Sequence, residues 1–319
     1  VKTTCMLCSV GCELDLNLDR GRSRIVRINT DLDNPTAPAF GSCCFKGRYL
    51  FRDAEPAGNF APSAGGVPVS FDEATDLLDK LAAREGTVYV AGPSLTLQEA
   101  RALRDYAALR TPGALITAVE GAEFLPLMAE AAKRKGIRRA SYADINAGDA
   151  FLLLETGTDE DQPVLTSWIR RGVRHRGAAI VLIGRAGGIL DKGGSLNLST
   201  RPGKGEKALR ALAAATEALR KLGGADFAGL AERAGIDAEK LEKAARLLAA
   251  AKHPVTLLGP GAPAEASFDA AEALEGGRYM ILFRGAGTAG LLSLFPEIGP
   301  SSAAKAARTK GEAAGIIFT

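Results

Sequence analysis

Five cysteines are crowded into the first 44 residues of this 319-residue chain, and the remainder has none. They form a Cys-x2-Cys-x3-Cys triplet, Cys5, Cys8 and Cys12, and a distant adjacent pair, Cys43 and Cys44. Three thiols this close together cannot all pair with one another as disulfides, and an odd number of cysteines argues against a disulfide framework. The triplet instead predicts side chains that converge on one metal centre, completed by a fourth ligand from a distant loop.

The spacing of the cysteines bears on which metal they bind. Thiolates suit zinc and iron–sulfur clusters equally well. Structural zinc sites usually combine two separate Cys-x2-4-Cys pairs, whereas a cubane 4Fe-4S cluster takes three ligands from one loop and one from another. The layout therefore favours a 4Fe-4S cluster, with a zinc site and free thiols as the alternatives. We also expect an apolar wrapping around the thiols, formed by Met6, Leu7, Val10 and Leu14.

The triplet and its surroundings resemble a known family. The segment 4–12, Thr-Cys-Met-Leu-Cys-Ser-Val-Gly-Cys, resembles the opening motif of the molybdopterin oxidoreductase superfamily, and an alternating β-hairpin at 14–28 follows it. Segment 41–49, Gly-Ser-Cys-Cys-Phe-Lys-Gly-Arg-Tyr, resembles the Cys-x-Lys-Gly-Arg motif that carries the family's fourth ligand. Within the superfamily, the chain is most similar to the large iron–sulfur subunit type of NADH-quinone oxidoreductase (complex I). The resemblance implies four cluster ligands, Cys5, Cys8, Cys12 and Cys44, and leaves Cys43 as a neighbour.

Lys46 belongs to the same motif. In relatives with a bound pterin, the equivalent lysine lies between cluster and pterin and is thought to help electrons cross. The alternative is a cation that offsets the negative charge of the cluster or lies on the surface. Lys46 is a candidate cofactor-binding residue, and both interpretations are compatible with the sequence.

The rest of the chain alternates short apolar strands with helices. This pattern predicts an α/β fold, in which a small N-terminal iron–sulfur domain with β-hairpins precedes layered αβα domains with mostly parallel sheets. Capping boxes predict helices that begin after Ser70 and Thr96, the first with Leu77, Leu78 and Leu81 on its inner face. A loop from Asp144 is expected to lead into a strand–helix–strand crossover. We predict four segments: a cluster domain at 1–54, a linker at 55–67, a first α/β unit at 68–137, and a second at 138–319 whose end can return to the first.

The turns that bind the guanine nucleotide in pterin-containing relatives are altered here. Thr158-Asp159 stands in place of Asn-Pro, and Gly184-Arg185 stands in place of Asp-Pro-Arg. All five cysteines lie at the cluster, so none remains as a thiolate ligand for molybdenum. We therefore expect no molybdopterin guanine dinucleotide and no catalytic residue in this chain.

Composition and charge bear on which partners and which location the protein has. A net charge of +3, from 40 basic and 37 acidic residues, gives no reason to propose nucleic acid or an anionic membrane as a partner. No apolar run reaches the length of a membrane span. Reduced thiols fit a cytoplasmic setting, free or at the periphery of a membrane complex. The apolar end of the chain, Gly315–Thr319, predicts a strand whose unpaired edge requires a larger assembly.

Together these features predict an iron–sulfur electron-transfer subunit on a degenerate molybdopterin-type scaffold. It would work with other redox subunits in a complex of the NADH dehydrogenase or hydrogenase type. One alternative is the N-terminal part of an active molybdenum or tungsten bis-pterin oxidoreductase, such as a formate dehydrogenase. Another is a scaffold whose cluster only stabilises the fold.

Overall fold

The computed structural model describes residues 1–21, 24–31, 34, 38–53, 61–84, 86–118, 120–184, 188–190, 195–198, 204–295 and 315–318. The chain divides into two compact units, one formed by Val1–Leu125 with Gly285–Thr319 and the other by Pro126–Arg284. The segment limits predicted from the sequence, after residues 54, 67 and 137, stay a prediction. Arg185, part of the second altered turn, lies outside the described residues.

The described residues form fourteen strands and twelve α-helices. The strands are β1 (Lys2–Thr4), β2 (Glu13–Leu18), β3 (Ile25–Asn29), β4 (Ser63–Ala64), β5 (Val67–Pro68), β6 (Val88–Ala91), β7 (Leu115–Ala118), β8 (Arg138–Arg139), β9 (Ala150–Leu154), β10 (Ala179–Ile183), β11 (Leu196–Asn197), β12 (Pro254–Leu258), β13 (Arg278–Ile281) and β14 (Gly315–Phe318). The helices are α1 (Phe45–Asp53), α2 (Phe71–Ala82), α3 (Leu97–Arg110), α4 (Leu125–Lys133), α5 (Tyr142–Ala147), α6 (Thr158–Asp161), α7 (Pro163–Arg176), α8 (Gly205–Leu222), α9 (Phe227–Ala234), α10 (Ala238–Ala250), α11 (Ala264–Glu272) and α12 (Thr288–Leu294). This arrangement confirms the predicted fold class.

The N-terminal region is a small antiparallel sheet in the order β1-β2-β3. The predicted hairpin is confirmed, since Asp15 pairs with Asn29 and Leu16 with Ile28. The first strand, in which Lys2 pairs with Asp15, was not predicted. Leu14 and Ile28 are buried, whereas the other residues of the two hairpin strands are half-buried or exposed. The sheet therefore has one thin apolar face. The loop that carries the cysteine triplet joins its first two strands.

The first unit also holds a parallel sheet in the order β14-β6-β7. Both predicted capping boxes are present, with the side chain of Ser70 accepting from the Glu73 amide and that of Thr96 from the Glu99 amide. One expectation about α2 is wrong, because Leu77 is 40% exposed and Leu81 36% exposed instead of lying on an inner face. Ala82, at the end of the helix, is its buried residue.

The C-terminal strand β14 pairs in parallel with β6, Gly315 opposite Val88 and Phe318 opposite Ala91. The end of the chain thus joins the sheet that begins near residue 88, and β14 forms one edge of that three-stranded sheet. At the end of the predicted linker, β4 and β5 make a two-stranded antiparallel ribbon that extends one residue beyond it, to Pro68. Among the described residues, none of the helices combines the length and the apolar character required to cross a bilayer.

The second unit is built on a six-stranded parallel sheet in the order β11-β10-β9-β12-β13-β8. Every residue of β9 and β12 is buried, as expected for central strands of a sheet with helices on its faces. The predicted crossover is confirmed as β9, α7 and β10, with Val164, Trp168 and Ile169 buried. The loop expected from Asp144 is wrong, because this residue lies in α5 and its carboxylate caps the helix together with Ser141.

Candidate metal centre

The cysteine triplet lies in the loop that joins β1 to β2. The amide of Cys5 donates to the carbonyl oxygen of Cys12 over 2.8 Å. The amide of Gly11 donates to the carbonyl oxygen of Cys8 over 3.3 Å. Gly11 has a φ of 63°, a left-handed conformation that a side chain would strain. These bonds close the loop on itself, so the three cysteines are brought together by local backbone structure. Cys5 and Cys12 are buried, and Cys8 is half-buried.

The distant pair approaches the triplet just ahead of α1. Cys43 and Cys44 are both half-buried and immediately precede the first residue of that helix. Gly47, in the first turn, lies so close to the thiols that a Cβ there would stand 2.7 Å from the sulfur of Cys43 and 3.2 Å from that of Cys5. A glycine is therefore required for the helix to bring the second loop onto the first.

Backbone amides bond to two of the sulfurs. Burial is the main influence on Cys5 and Cys8 and raises the pKa of both thiols. The amide of Leu7 bonds to the sulfur of Cys5, and that of Val10 to the sulfur of Cys8, which lowers each pKa in part. Amide donors of this kind stabilise thiolates and tune the reduction potential of iron–sulfur clusters. The loop supplies them without any polar side chain.

Cys12 and Cys43 form a hydrogen-bonded thiol pair. That bond, followed by burial, raises the pKa of Cys12. The same bond lowers the pKa of Cys43 to about 7, and the positive charge of Arg48 acts in the same direction. The structure thus turns the sulfur of Cys43 towards the triplet. The resemblance to the Cys-x-Lys-Gly-Arg motif indicated Cys44 as the fourth ligand, and that assignment stays a prediction. The sequence did not show that Cys43 would also face the triplet.

Two cations accompany the thiols. The charge of Lys46 lowers the pKa of Cys8, although burial and neighbouring thiols raise it overall. Arg48, which the sequence analysis did not select, acts on Cys43 and donates from Nη1 to the carbonyl oxygen of Ile28 over 3.4 Å. Both cations come from the first turn of α1. They can balance the negative charge that four thiolates and a cluster carry.

The expected apolar wrapping is half right. Val10 and Leu14 are buried, with 3% and 1% of their surface exposed. Met6 and Leu7 are instead 39% and 45% exposed, and Phe45 at the start of α1 is 76% exposed. The turn after Cys5 points its apolar side chains outward because the sulfurs and the amide donors occupy its inner side. The loop therefore presents apolar side chains to its surroundings as well as to its core.

The residues present fit an iron–sulfur cluster in the chemistry of their donors. Two loops bring thiols together, amides bond to two sulfurs, and two cations stand nearby. Within the described parts of the chain, no three Cys, His, Asp or Glu side chains are grouped closely enough to hold a single metal ion. The ligand set of Cys5, Cys8, Cys12 and Cys44 stays a prediction.

A second feature lies at the carboxyl edge of the six-stranded sheet. The chain leaves β9 towards β10 and later returns to β12 on the other side of β9, so the strand order reverses there, where ligands usually bind in such sheets. Glu155 follows β9 with a φ of 49°, and its carboxylate fills the space next to Gly184 that a Cβ would need. The carboxylate of Asp159 accepts from the Ile189 amide over 3.0 Å. Two acidic groups thus stand at this edge.

Comparison with known proteins agrees with the N-terminal site. Residues 1–54 match the model of the molybdopterin oxidoreductase Fe4S4 domain. The match covers the three-stranded sheet, both cysteine loops and α1, so this part of the chain has the sequence of an iron–sulfur domain. It supports a 4Fe-4S cluster. No curated protein matches the chain.

Solved structures are similar over a longer stretch. Acetylene hydratase from Pelobacter acetylenicus is similar over 84% of this chain, with a TM-score of 0.56 and 16% sequence identity. The chain spans only 40% of that protein, and at this identity the likeness shows the fold alone. The formyltransferase/hydrolase complex FhcABCD from Methylorubrum extorquens, in complex with methylofuran, matches 75% of this chain and 66% of its own at 22% identity. Its TM-score of 0.49 is too low to indicate a common fold.

Proposed function

We propose that the chain is the iron–sulfur electron-transfer subunit of a multi-subunit redox complex of the NADH dehydrogenase or hydrogenase type. One observation carries the proposal: two loops of an Fe4S4-type domain bring the thiols of the chain together, with backbone amide donors on two of the sulfurs and two cations nearby. The ligands are Cys5, Cys8, Cys12 and Cys44. When bound, a 4Fe-4S cluster accepts and releases single electrons.

The residues around the thiols would hold the cluster and set its environment. Val10 and Leu14 exclude water from one side of the triplet, and the Leu7 and Val10 amides stabilise the thiolates. Lys46 and Arg48 offset negative charge next to Cys8 and Cys43. For Lys46 we propose this charge-balancing role, since its interaction with Cys8 requires no second cofactor.

Partner subunits are proposed from the surface of the same domain. Exposed apolar side chains flank the ligands, with Met6 and Leu7 next to Cys5 and Phe45 next to Cys44. Exposed apolar residues close to a redox centre suit a docking surface, because a partner that covers them brings its own centre near the cluster. We propose that other redox subunits dock there, in the cytoplasm or at the edge of a membrane complex.

We also propose that this chain binds no molybdopterin guanine dinucleotide and carries no substrate site. The support comes from the carboxyl edge of the six-stranded sheet, where Glu155 and Asp159 place carboxylates. The diphosphate of a dinucleotide is anionic, and like charges at close range repel one another. Thr158 is 2% exposed and begins α6, so the altered turn is part of a helix.

The alternative is the N-terminal part of an active molybdenum or tungsten oxidoreductase. One observation favours it: the chain is similar to acetylene hydratase over 84% of its own length but only 40% of that protein's. A chain that spans part of such a fold can share a cofactor with a segment outside it. Lys46, which resembles the lysine between cluster and pterin, is compatible with both functions.

Metal and pterin analysis separates the two functions. The full chain, with any co-purifying subunits, is prepared without oxygen and assayed for iron, acid-labile sulfide, molybdenum, tungsten and oxidised fluorescent pterin. We expect about four irons and four sulfides per chain, an electron paramagnetic resonance signal on reduction, and no pterin. A stoichiometric pterin signal supports the molybdenum or tungsten enzyme instead, and zinc in place of iron contradicts both.

A further inference from the structure

Cys43 stands next to the proposed fourth ligand, and its sulfur faces the same thiols. It is hydrogen-bonded to the Cys12 thiol. The sulfurs of Cys43 and Cys5 also lie side by side against Gly47. A Cβ added to Gly47 would stand 2.7 Å from the sulfur of Cys43 and 3.2 Å from that of Cys5. Two of the three triplet thiols are thus direct neighbours of Cys43. A cysteine that merely adjoined a ligand in sequence would have no reason to face the other ligands.

Cys44 lies in the same turn, next to the first residue of α1. Its sulfur lies close enough to Cys8 and Cys5 for a negative charge on it to raise the pKa of both thiols. Its carbonyl oxygen accepts from the sulfur of Cys43 over 3.4 Å and from the Arg48 amide over 3.1 Å. These contacts hold the backbone between the two cysteines at the start of α1. Both side chains therefore reach the thiol cluster from one anchored turn.

We propose that Cys43 and Cys44 share the fourth ligand position, so that either sulfur can bind the iron that the triplet does not hold. This inference rests on the proposed cluster. In the exchange, the bond from iron to the sulfur of Cys44 breaks and a bond to the sulfur of Cys43 forms. The proton of the Cys43 thiol passes to the released Cys44 thiolate, and no electron is gained or lost.

The shared position has a chemical consequence for the chain. Thiolate ligands that become protonated or oxidised lose their iron, and exposed cysteines are the most susceptible. Cys44 is half-buried, so it is within reach of solvent. With a second sulfur anchored beside it, the cluster keeps four cysteine ligands when one of the pair is modified. Gly47 makes the arrangement possible, since any larger residue would displace Cys43.

Alkylation of the native protein tests the exchange directly. The iron-loaded full chain is treated with iodoacetamide without oxygen, digested, and the peptide that contains both cysteines is sequenced by mass spectrometry. We expect one label per peptide, divided between Cys43 and Cys44, because one sulfur of the pair is always bound to iron. Label on Cys43 alone overturns the proposal, and so does label on both residues of one peptide.

Alanine variants give a second test, because alanine cannot replace a sulfur ligand. We expect Cys44→Ala and Cys43→Ala each to keep about four irons per chain, whereas the double variant loses at least one. Cys8→Ala is the matched control, since that thiol has no adjacent replacement. Iron loss in Cys44→Ala equal to that of the double variant overturns the shared position. A wild-type chain without iron and sulfide contradicts the proposed function itself, which separates the two failures.

Discussion

The cluster domain and the six-stranded sheet of the second unit differ in what their interiors contain. In the described part of residues 1–53, the buried apolar side chains are Cys5, Val10, Cys12, Leu14 and Ile28, two of which are thiols. In the second unit, β9 and β12 are buried along their whole length and are flanked by buried side chains of α7, α8 and α10. A domain of the first kind has too little apolar surface to fold without help, whereas the second has a core of its own.

The largest effect expected from this contrast is on the cluster domain when iron is absent. We expect Cys12→Ala, or removal of iron by a chelator, to abolish the protection of the β2 and β3 amides against hydrogen exchange. The reason is that metal binding supplies the folding free energy of small metal-binding domains. The β9 and β12 amides should keep their protection, since they lie in a separate core.

Met6→Ala is the control for that experiment, because Met6 lies within the ligand loop but is 39% exposed. It should keep both the iron and the protection. If the iron-free chain protects the β2 and β3 amides as well as the iron-loaded chain does, the cluster domain has an adequate core and the contrast between the two regions is lost.

The next largest effect is expected from truncating a buried phenylalanine of the second unit, compared with an exposed phenylalanine of the cluster domain. Phe151 is the second residue of β9 and is fully buried, opposite Ile180 and Val255. We expect Phe151→Ala to lower the free energy of unfolding of the second unit by about 3–5 kcal/mol, from lost burial and the cavity left behind. Chemical denaturation followed by circular dichroism measures this loss.

Phe45→Ala is the matched substitution in the cluster domain. The Phe45 ring is 76% exposed and touches Tyr49 at a centroid distance of 5.2 Å. We expect a change of less than about 0.5 kcal/mol, as for most surface substitutions. Equal losses from the two variants would contradict the contrast, because the exposed Phe45 would then contribute as much to stability as a residue in the core of the second unit.

The sequence predicted the features that depend on local chemistry. The capping boxes at Ser70 and Thr96 and the hairpin at 14–28 follow from residue types at fixed spacing, and the structure confirms them. The cysteine layout likewise predicted an iron–sulfur domain, which the family match supports. In each case the deciding contacts lie within a few residues or in one short motif.

Features set by tertiary contacts were missed. Leu77 and Leu81 have the spacing of an inner helix face, yet they are exposed because no described element covers that side of α2. The orientation of Cys43 depends on the approach of Gly47, and the backbone of Glu155 depends on the strands beside it. The helix at Asp144 had a local signal that the sequence analysis did not use, since Ser141 three residues earlier forms a capping box with it.

The last comparison concerns a charged group in the second unit, Asp144, where the expected loss is smaller than that for Phe151→Ala. Its carboxylate pairs with Arg138, with an Nη1–Oδ2 distance of 2.9 Å, and accepts from the Ser141 amide over 2.7 Å. The pair with Arg138 is the main cause that holds the pKa of Asp144 well below its usual range, against the opposing effect of burial, and the bonds from Ser141 add to it. We expect Asp144→Asn to destabilise the second unit by about 1 kcal/mol at neutral pH, the usual cost of a lost cap or hydrogen bond.

The pH dependence of that difference identifies its cause. A lowered pKa in the folded state contributes stability that is present above the unfolded-state pKa, near 4, and that is lost as the pH falls further. The difference between Asp144→Asn and wild type should therefore be constant above about pH 5 and shrink below about pH 4. Glu242→Gln removes an exposed pair with Arg246 and should change stability by no more than about 0.5 kcal/mol. If the difference in the free energy of unfolding between Asp144→Asn and wild type stays unchanged in acid, the effect comes from packing. The ion pair with Arg138 would then make no measurable contribution to the stability of the second unit.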